Sequence, residues 1–123
     1  MWHRMPTIPE LLDELVTQAG AQCASLVDSE SGMILGQSGF SPDIEVTAAG
    51  NTEVIRSQIR ALKNMGKDEA VDDILITLTT QYDILRPLKS NPSIFLFVTL
   101  DKAKANLALA RFRVSECEAQ LAL

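Results

Sequence analysis

The sequence predicts an α+β fold in which three helices cover both faces of a five-stranded antiparallel sheet. Three long segments have apolar residues at three- and four-residue spacing, which is typical of helices packed along one side. Five shorter segments are rich in apolar and β-branched residues and end at turn residues, which is typical of strands. The chain has 123 residues, of which 46% are hydrophobic and 22% charged, so it has the composition of a globular protein with one core. We expect a flexible tail over residues 1–6 and one domain over residues 7–123.

The first helix and the first two strands follow one another directly. A hydroxyl at Thr7, three residues ahead of Glu10, has the spacing of a capping box, so the helix is predicted to begin there. The apolar segments 21–27 and 33–36 flank turn residues at 28–32. This arrangement predicts a β-hairpin.

The second helix is predicted to begin at Ser41, which can cap it, with Pro42 at the first helical position, and to end near Met65. Helical periodicity gives it one main apolar stripe that we expect to face the sheet. The stripe consists of Ile44, Ala48, Ile55, Ile59 and Leu62.

Three strands and a final helix complete the fold. The strands are predicted over Ile74–Thr80, Tyr82–Leu88 and Ser93–Leu100, as an antiparallel meander. Both faces of these strands are largely apolar, so helices should cover both sides. Asp101 is the predicted cap of the last helix. The sheet-facing stripe of that helix is predicted to be Ala103, Leu107, Ala110, Val114, Cys117 and Leu121.

Composition disfavours several classes of partner. The formal net charge of −5 makes a broad nucleic-acid surface a poor expectation. The longest purely apolar segment, 94–98, is far too short to span a bilayer. Two cysteines, Cys23 and Cys117, fall at core positions and suit a reducing compartment. We therefore expect a cytoplasmic protein that neither binds nucleic acid nor inserts into a membrane.

Residues for catalysis are scarce. The single histidine, His3, lies in the predicted tail, so a cysteine–histidine pair is not expected. The acidic pairs Asp72 with Asp73 and Asp28 with Glu30 lack the spacing of a calcium loop. The sequence predicts no catalytic residue, no metal and no cofactor, and hence a protein that is not an enzyme.

A second stripe on the second helix is the best candidate for an interaction surface. Gly50 lies within it, and a glycine inside a helix costs about 1 kcal/mol against alanine. It indicates either tolerated instability or the close approach of another backbone, which the neighbouring small residues favour. The stripe, hereafter the α2 stripe, consists of Thr47, Gly50, Asn51, Val54, Gln58, Ala61 and Met65.

Three surfaces are candidates for binding a partner. The favoured one is the basic side of the second helix, formed by Arg56, Arg60 and Lys63. The alternatives are the acidic face of the first helix and the outer face of the last helix. For the outer face, packing against the first helix is the competing interpretation; its residues are Ala105, Leu109, Phe112 and Leu123.

The pattern resembles the Roadblock dynein light-chain family, whose members have profilin-like folds and include bacterial regulators of small Ras-like GTPases. The resemblance rests on the helix at 11–19, the hairpin segments 24–28 and 31–35, the small residues Ala48 and Ala49, and the meander before 103–121. It implies a homodimer in which the second helix packs against its mate and the third strand pairs with its mate. Ile76 and Leu78 would then join the dimer interface.

The resemblance also implies a role. Family members act as adaptors, or as GTPase-activating partners that use the GTPase's own machinery without donating an arginine finger. We accordingly expect a homodimeric adaptor or regulator of a small Ras-like GTPase or a related signalling complex. The alternative is a small-molecule-sensing profilin-like module, which a polar-lined cavity would favour, whereas the apolar pattern predicts a filled core.

Overall fold

The structure is a computed structural model that describes residues 4–123. Residues 1–3 of the predicted tail, with His3 among them, lie outside the described residues. The order of helices and strands is the predicted one. The elements are α1 (Ile8–Gln18), β1 (Ala21–Asp28), β2 (Ile34–Gly39), α2 (Ile44–Asn64), β3 (Ile74–Thr77), β4 (Gln81–Pro87), β5 (Ile94–Asp101) and α3 (Leu107–Gln120).

The five strands form one antiparallel sheet in the order β2-β1-β5-β4-β3. The hairpin β1–β2 and the meander β3–β4–β5 are both present, as predicted. They are joined by pairing between β1 and β5, where Ala24 lies opposite Val98 and Leu26 opposite Leu96. This central pairing leaves β2 and β3 as the two edges of the sheet.

Helices cover both faces of the sheet, which confirms the predicted fold class. One core cluster packs α1 and α3 against one face and includes Leu12, Leu96 and Val114. The other packs α2 against the opposite face and includes Ile55 and Phe97. Each fully buried leucine, isoleucine or phenylalanine contributes about 1.5–3 kcal/mol to folding through removal of apolar surface from water.

The capping box of α1 is confirmed. The Thr7 hydroxyl accepts from the Glu10 backbone N–H at 3.3 Å, and the Glu10 carboxylate accepts from the Thr7 N–H at 3.4 Å. The same carboxylate receives the Arg4 guanidinium at 2.7 Å. The start of the helix is therefore satisfied by its own neighbouring residues.

The predicted starts of the other two helices were wrong. Asp43 has a φ of 58°, so the helix cannot extend back through Pro42 to Ser41, and α2 begins at Ile44. Asp101 instead ends β5 and accepts from the Ala103 N–H at 3.0 Å in a turn. The cap of α3 is Asn106, whose side chain accepts from the Leu109 N–H at 3.1 Å.

Two further predictions need correction. Strand β3 ends at Thr77 rather than Thr80, because the Leu78 N–H donates to the Gln81 carbonyl at 2.8 Å and closes a turn. The main stripe of α2 is fully buried only at Ala48 and Ile55, whereas Ile59 is 38% exposed.

Both cysteines are buried, as predicted. Within residues 4–123, none of the helices combines the length and apolarity needed to cross a membrane.

Candidate protein-interaction surfaces

The α2 stripe lies along one side of its helix. On an ideal helix its seven residues fall within an arc of about 100°. Six of them are exposed, including the apolar Val54 and Met65, while Asn51 is buried beside the core-facing residues. A Cβ placed on Gly50 would meet no atom within 4 Å. Nothing inside the protomer therefore requires glycine at this position.

The third strand lies at a sheet edge, which is where the predicted interface needs it. Within the described residues, β3 pairs only with β4. Ile76 is half-buried in the cluster beneath α2. Leu78 is exposed in the turn that follows β3. The two predicted β3 residues thus lie in different environments, one under α2 and one at the end of the edge.

The predicted partner residues Arg56, Arg60 and Lys63 lie together. All three are exposed and line one open depression of about 500 Å³, which we call the basic depression. Its opposite wall is formed by the β1–β2 turn at 29–30 and the β4–β5 turn at 92–93. Because Glu30 belongs to that wall, the depression offers cations on one side and a carboxylate on the other.

An apolar cavity of about 490 Å³ adjoins the end of α2 and was not predicted. Ile59 and Leu62 of the predicted main stripe form one wall, and Val71 and Leu88 belong to the others. The apolar pattern predicted a filled core, but the last turns of α2 are not fully covered by the sheet. Three lysines and two acidic residues surround the opening: Lys63, Lys67, Lys89, Glu69 and Asp72.

The outer face of α3 remains uncovered. Leu109, Phe112 and Leu123 are exposed, so the alternative in which they pack against α1 is wrong for these three. Ala105, the fourth predicted residue, lies before α3 and is partly buried against the core cluster that α1 and α3 share. The helices α1 and α3 meet through other residues, among them Leu11, whose carbonyl lies 3.8 Å from the Cys117 sulfur. On the acidic face of α1, Asp13 accepts a hydrogen bond from the Ser38 hydroxyl and Glu14 is exposed.

Sequence reasoning missed a buried polar group on the α2 side of the sheet. Asp83 lies opposite Thr99 in the β4–β5 register and opposite Ile76 in the β3–β4 register. Its carboxylate accepts from the Gln81 amide at 2.6 Å, and burial raises its pKa. The Thr99 hydroxyl is buried without a hydrogen-bond partner. The available signal was a carboxylate next to the apolar residues Ile84 and Leu85 of a predicted strand.

Sequence reasoning also missed a strong charge asymmetry. Residues 5–55 contain no lysine, arginine or histidine, whereas the rest of the described chain is mixed in charge. The uncharged strand β2 lies in the middle of this stretch.

Among residues 4–123, no three His, Cys, Asp or Glu side chains are grouped so that they could hold a metal ion.

The structure is similar to solved structures although its sequence is distant from them. No family model and no curated protein matches the chain. MglB of Myxococcus xanthus superimposes with a TM-score of 0.81 at 20% identity, over 98% of this chain and 95% of MglB. A Roadblock/LC7 domain from Streptomyces avermitilis gives 0.77 at 16% identity, over 93% of both chains. This chain has the Roadblock fold.

The structure of this chain is also similar to a profilin structure. Profilin II of Acanthamoeba castellanii matches with a TM-score of 0.63 at 12% identity, over 94% of this chain and 97% of profilin. The higher scores of MglB and the Streptomyces domain place this Roadblock fold nearer to them than to that profilin.

Proposed function

We propose that this protein is a non-enzymatic homodimeric adaptor or regulator that binds a small Ras-like GTPase. The observation that carries the proposal is the exposed α2 stripe on a Roadblock fold, next to the basic depression on the same helix. The resemblance of the sequence to Roadblock proteins supports the GTPase as partner. The two buried thiols fit a reducing cytoplasm.

In the proposed homodimer, α2 packs against α2 of a second copy. Exposed Val54 and Met65 supply apolar contact, and the open space at Gly50 allows two backbones to approach closely. Pairing of β3 with its mate satisfies backbone groups that otherwise face water at a sheet edge. A two-fold axis then presents every surface of the protomer twice.

The proposed GTPase site is the basic depression. Arg56, Arg60 and Lys63 are exposed, so they can steer an acidic region of a partner during encounter, while Ile59 offers apolar contact. Two-fold symmetry doubles this basic surface. The protein acts by binding, and its own residues supply no catalytic group or cofactor in this proposal.

The test is nucleotide-dependent capture followed by mutation. Tagged protein is incubated with cytosol from the source cells, loaded with either GDP or a non-hydrolysable GTP analogue, and retained proteins are identified by mass spectrometry. We expect a small Ras-like GTPase, whose purified form then binds in one nucleotide state. The double variant Arg56→Glu/Arg60→Glu should weaken that binding in a salt-dependent way while the oligomeric state is unchanged.

Phe112→Asp on the outer face of α3 is the matched control. Both variants change exposed residues, so both should fold. If the GTPase tolerates the double charge reversal but is lost on Phe112→Asp, the docking surface is α3 and the basic depression is the wrong assignment. If no GTPase is retained in either nucleotide state, the proposed role is wrong.

The cavity at the end of α2 has charged as well as apolar residues in its lining, and it favours a second candidate, a small-molecule-sensing module. Its volume of about 490 Å³ lies within the range of about 300–1,000 Å³ common for ligand pockets. Native mass spectrometry of the purified protein would reveal a retained small molecule. Loss of that molecule on Leu62→Asp would support this candidate, and its absence in every preparation would count against it.

A further inference from the structure

Strand β2 leaves backbone groups unpaired along one edge of the sheet. In the part of the chain that the structure describes, β2 pairs only with β1. The Phe40 N–H donates to the Gln22 carbonyl at 3.0 Å, which fixes the hydrogen-bonding phase of the pair. Because bonded and non-bonded pairs alternate in an antiparallel ladder, Ser38 faces β1 with its backbone groups and Gln37 directs its N–H and C=O outward.

A bulge, in which Leu35 has no partner opposite it on β1, is the one common protection against pairing that this edge has, and the others are absent. Edge strands are commonly protected by charged side chains, by proline or by a covering segment. No charged residue occurs from 31 to 42 and β2 contains no proline, although a bulge interrupts its pairing near Leu26 and Val27. Met33, Leu35 and Phe40, on and beside the strand, are 65%, 53% and 76% exposed. The edge is therefore uncharged, accessible and flanked by exposed apolar side chains.

The surroundings of the edge are acidic. Residues 5–55, which form α1, β1, β2 and the first half of α2, carry eight acidic residues and no basic one. Asp13 contacts β2 directly through Ser38, and Asp28, the last residue of β1, accepts from the hydroxyl of Ser31 in the turn before β2 at 3.0 Å. The acidic residues are Glu10, Asp13, Glu14, Asp28, Glu30, Asp43, Glu45 and Glu53.

We propose that the β2 edge binds an extended basic segment of a partner protein by strand addition. The backbone of the segment pairs with the outward groups of β2, its apolar side chains contact Leu35 and its neighbours, and its lysines or arginines face the surrounding carboxylates. A second copy of this chain fits less well, because pairing two β2 edges brings together two segments, residues 5–55 of each copy, in which acidic residues have no basic residue among them. The inference goes beyond the proposed GTPase role and does not depend on the α2 stripe or on the basic depression.

The probe is a synthetic peptide of about ten residues that alternates valine and lysine, with a fluorescent label. One control peptide tests the charge attraction, and a second tests the backbone pairing. One replaces lysine by glutamate, and the other keeps the side chains but carries N-methyl groups on alternate backbone amides. By fluorescence anisotropy we expect the lysine peptide to bind, the glutamate peptide not to bind, and N-methylation to weaken binding at least about tenfold.

Amide hydrogen exchange followed by NMR locates the bound peptide. The Gln37 amide should gain protection on binding, because it faces outward in the free protein. The Ser38 amide, which faces β1 already, is the internal control and should change little. Leu35→Lys places a positive charge at the edge, which repels the lysine peptide, and should weaken its binding about tenfold. Leu109→Lys, at a 43% exposed leucine on α3, should not.

Four outcomes would overturn the proposal. Equal binding of the methylated and unmethylated peptides would reduce the effect to charge attraction alone. Binding without protection of Gln37 would place the peptide elsewhere, and absence of binding would remove the site. Protection of Gln37 that rises with protein concentration alone would mean that a second copy occupies the edge. Circular dichroism of Leu35→Lys and Leu109→Lys checks that both variants fold. The comparison of the three peptides uses the unchanged protein.

Discussion

At the scale of single residues, Asp83 couples the stability of the protein to pH. Burial disfavours its charged form and raises its pKa above the ordinary value of 3.8, although the hydrogen bond from Gln81 partly opposes this. The folded state therefore holds this proton more tightly than the unfolded state. The free energy of unfolding contributed by Asp83 should rise as pH falls through the raised pKa and level off below about 3.8.

Asp83→Asn should accordingly stabilise the protein at neutral pH. Asparagine has no charge to desolvate, still accepts from Gln81, and can donate towards the unpartnered Thr99 hydroxyl. Urea unfolding at pH 7 should show a higher midpoint for the variant, with the advantage shrinking as pH approaches 4. Asp68→Asn in an exposed segment is the control and should have little effect. A pH-independent advantage would contradict the role assigned to desolvation.

The two cysteines should be chemically inert in the folded protein. Burial raises the pKa of Cys23, and burial with the nearby carboxylates of Glu14 and Glu118 raises the pKa of Cys117 to about 12. A thiol reagent at pH 7.5 should label neither cysteine until the protein is unfolded in about 6 M guanidinium. Rapid labelling of the native protein would show that one of them is accessible.

At the scale of elements, substitutions at Gly50 test the stability of α2 and its proposed contact with a second copy separately. The space around its Cβ position is open within the protomer, so Gly50→Ala should stabilise the fold by about 0.8–1 kcal/mol through helix propensity. Gly50→Leu should leave the protomer folded but weaken the homodimer, since overpacking a close contact typically costs ~1–3 kcal/mol. Analytical ultracentrifugation measures the dimer constant. An unchanged constant for Gly50→Leu would place this residue outside the interface.

The elements were predictable where local chemistry alone determines them. Thr7 and Glu10 are three residues apart, and the capping box follows from that spacing. The start of α3 was not predictable in the same way, because Asp101 and Asn106 are both competent caps. Which one begins the helix depends on where β5 ends and on the turn that Asp101 forms.

At the scale of the whole molecule, the sheet order could not be deduced from local patterns. Pairing of β1 with β5 joins residues more than 60 positions apart, such as Leu26 and Leu96. The clustering of Arg56, Arg60 and Lys63 was predictable because one helix positions all three. The apolar cavity and the Asp83–Thr99 pair were not, since each combines side chains from separate elements.

The proposed assembly predicts a simple mass. One chain has a mass of 13.4 kDa, so light scattering of the purified protein at micromolar concentration should give about twice that value. In the proposed dimer, the α2 stripe with its exposed Val54 and Met65 and the β3 edge would leave water, and burial of the apolar side chains would provide the driving force. A mass of one chain throughout the micromolar range would contradict the homodimer, whatever partner the protein binds.

The central position of β1 affects how the chain folds during synthesis. The ribosome releases the β1–β2 hairpin early, but the inner edge of β1 has no neighbour until β5 has been made. For more than half of translation, apolar residues such as Leu26 and Val27 therefore lack the strand that lies beside them in the sheet. At typical speeds of about 5–20 residues per second this interval lasts several seconds, during which the nascent chain is a substrate for chaperones.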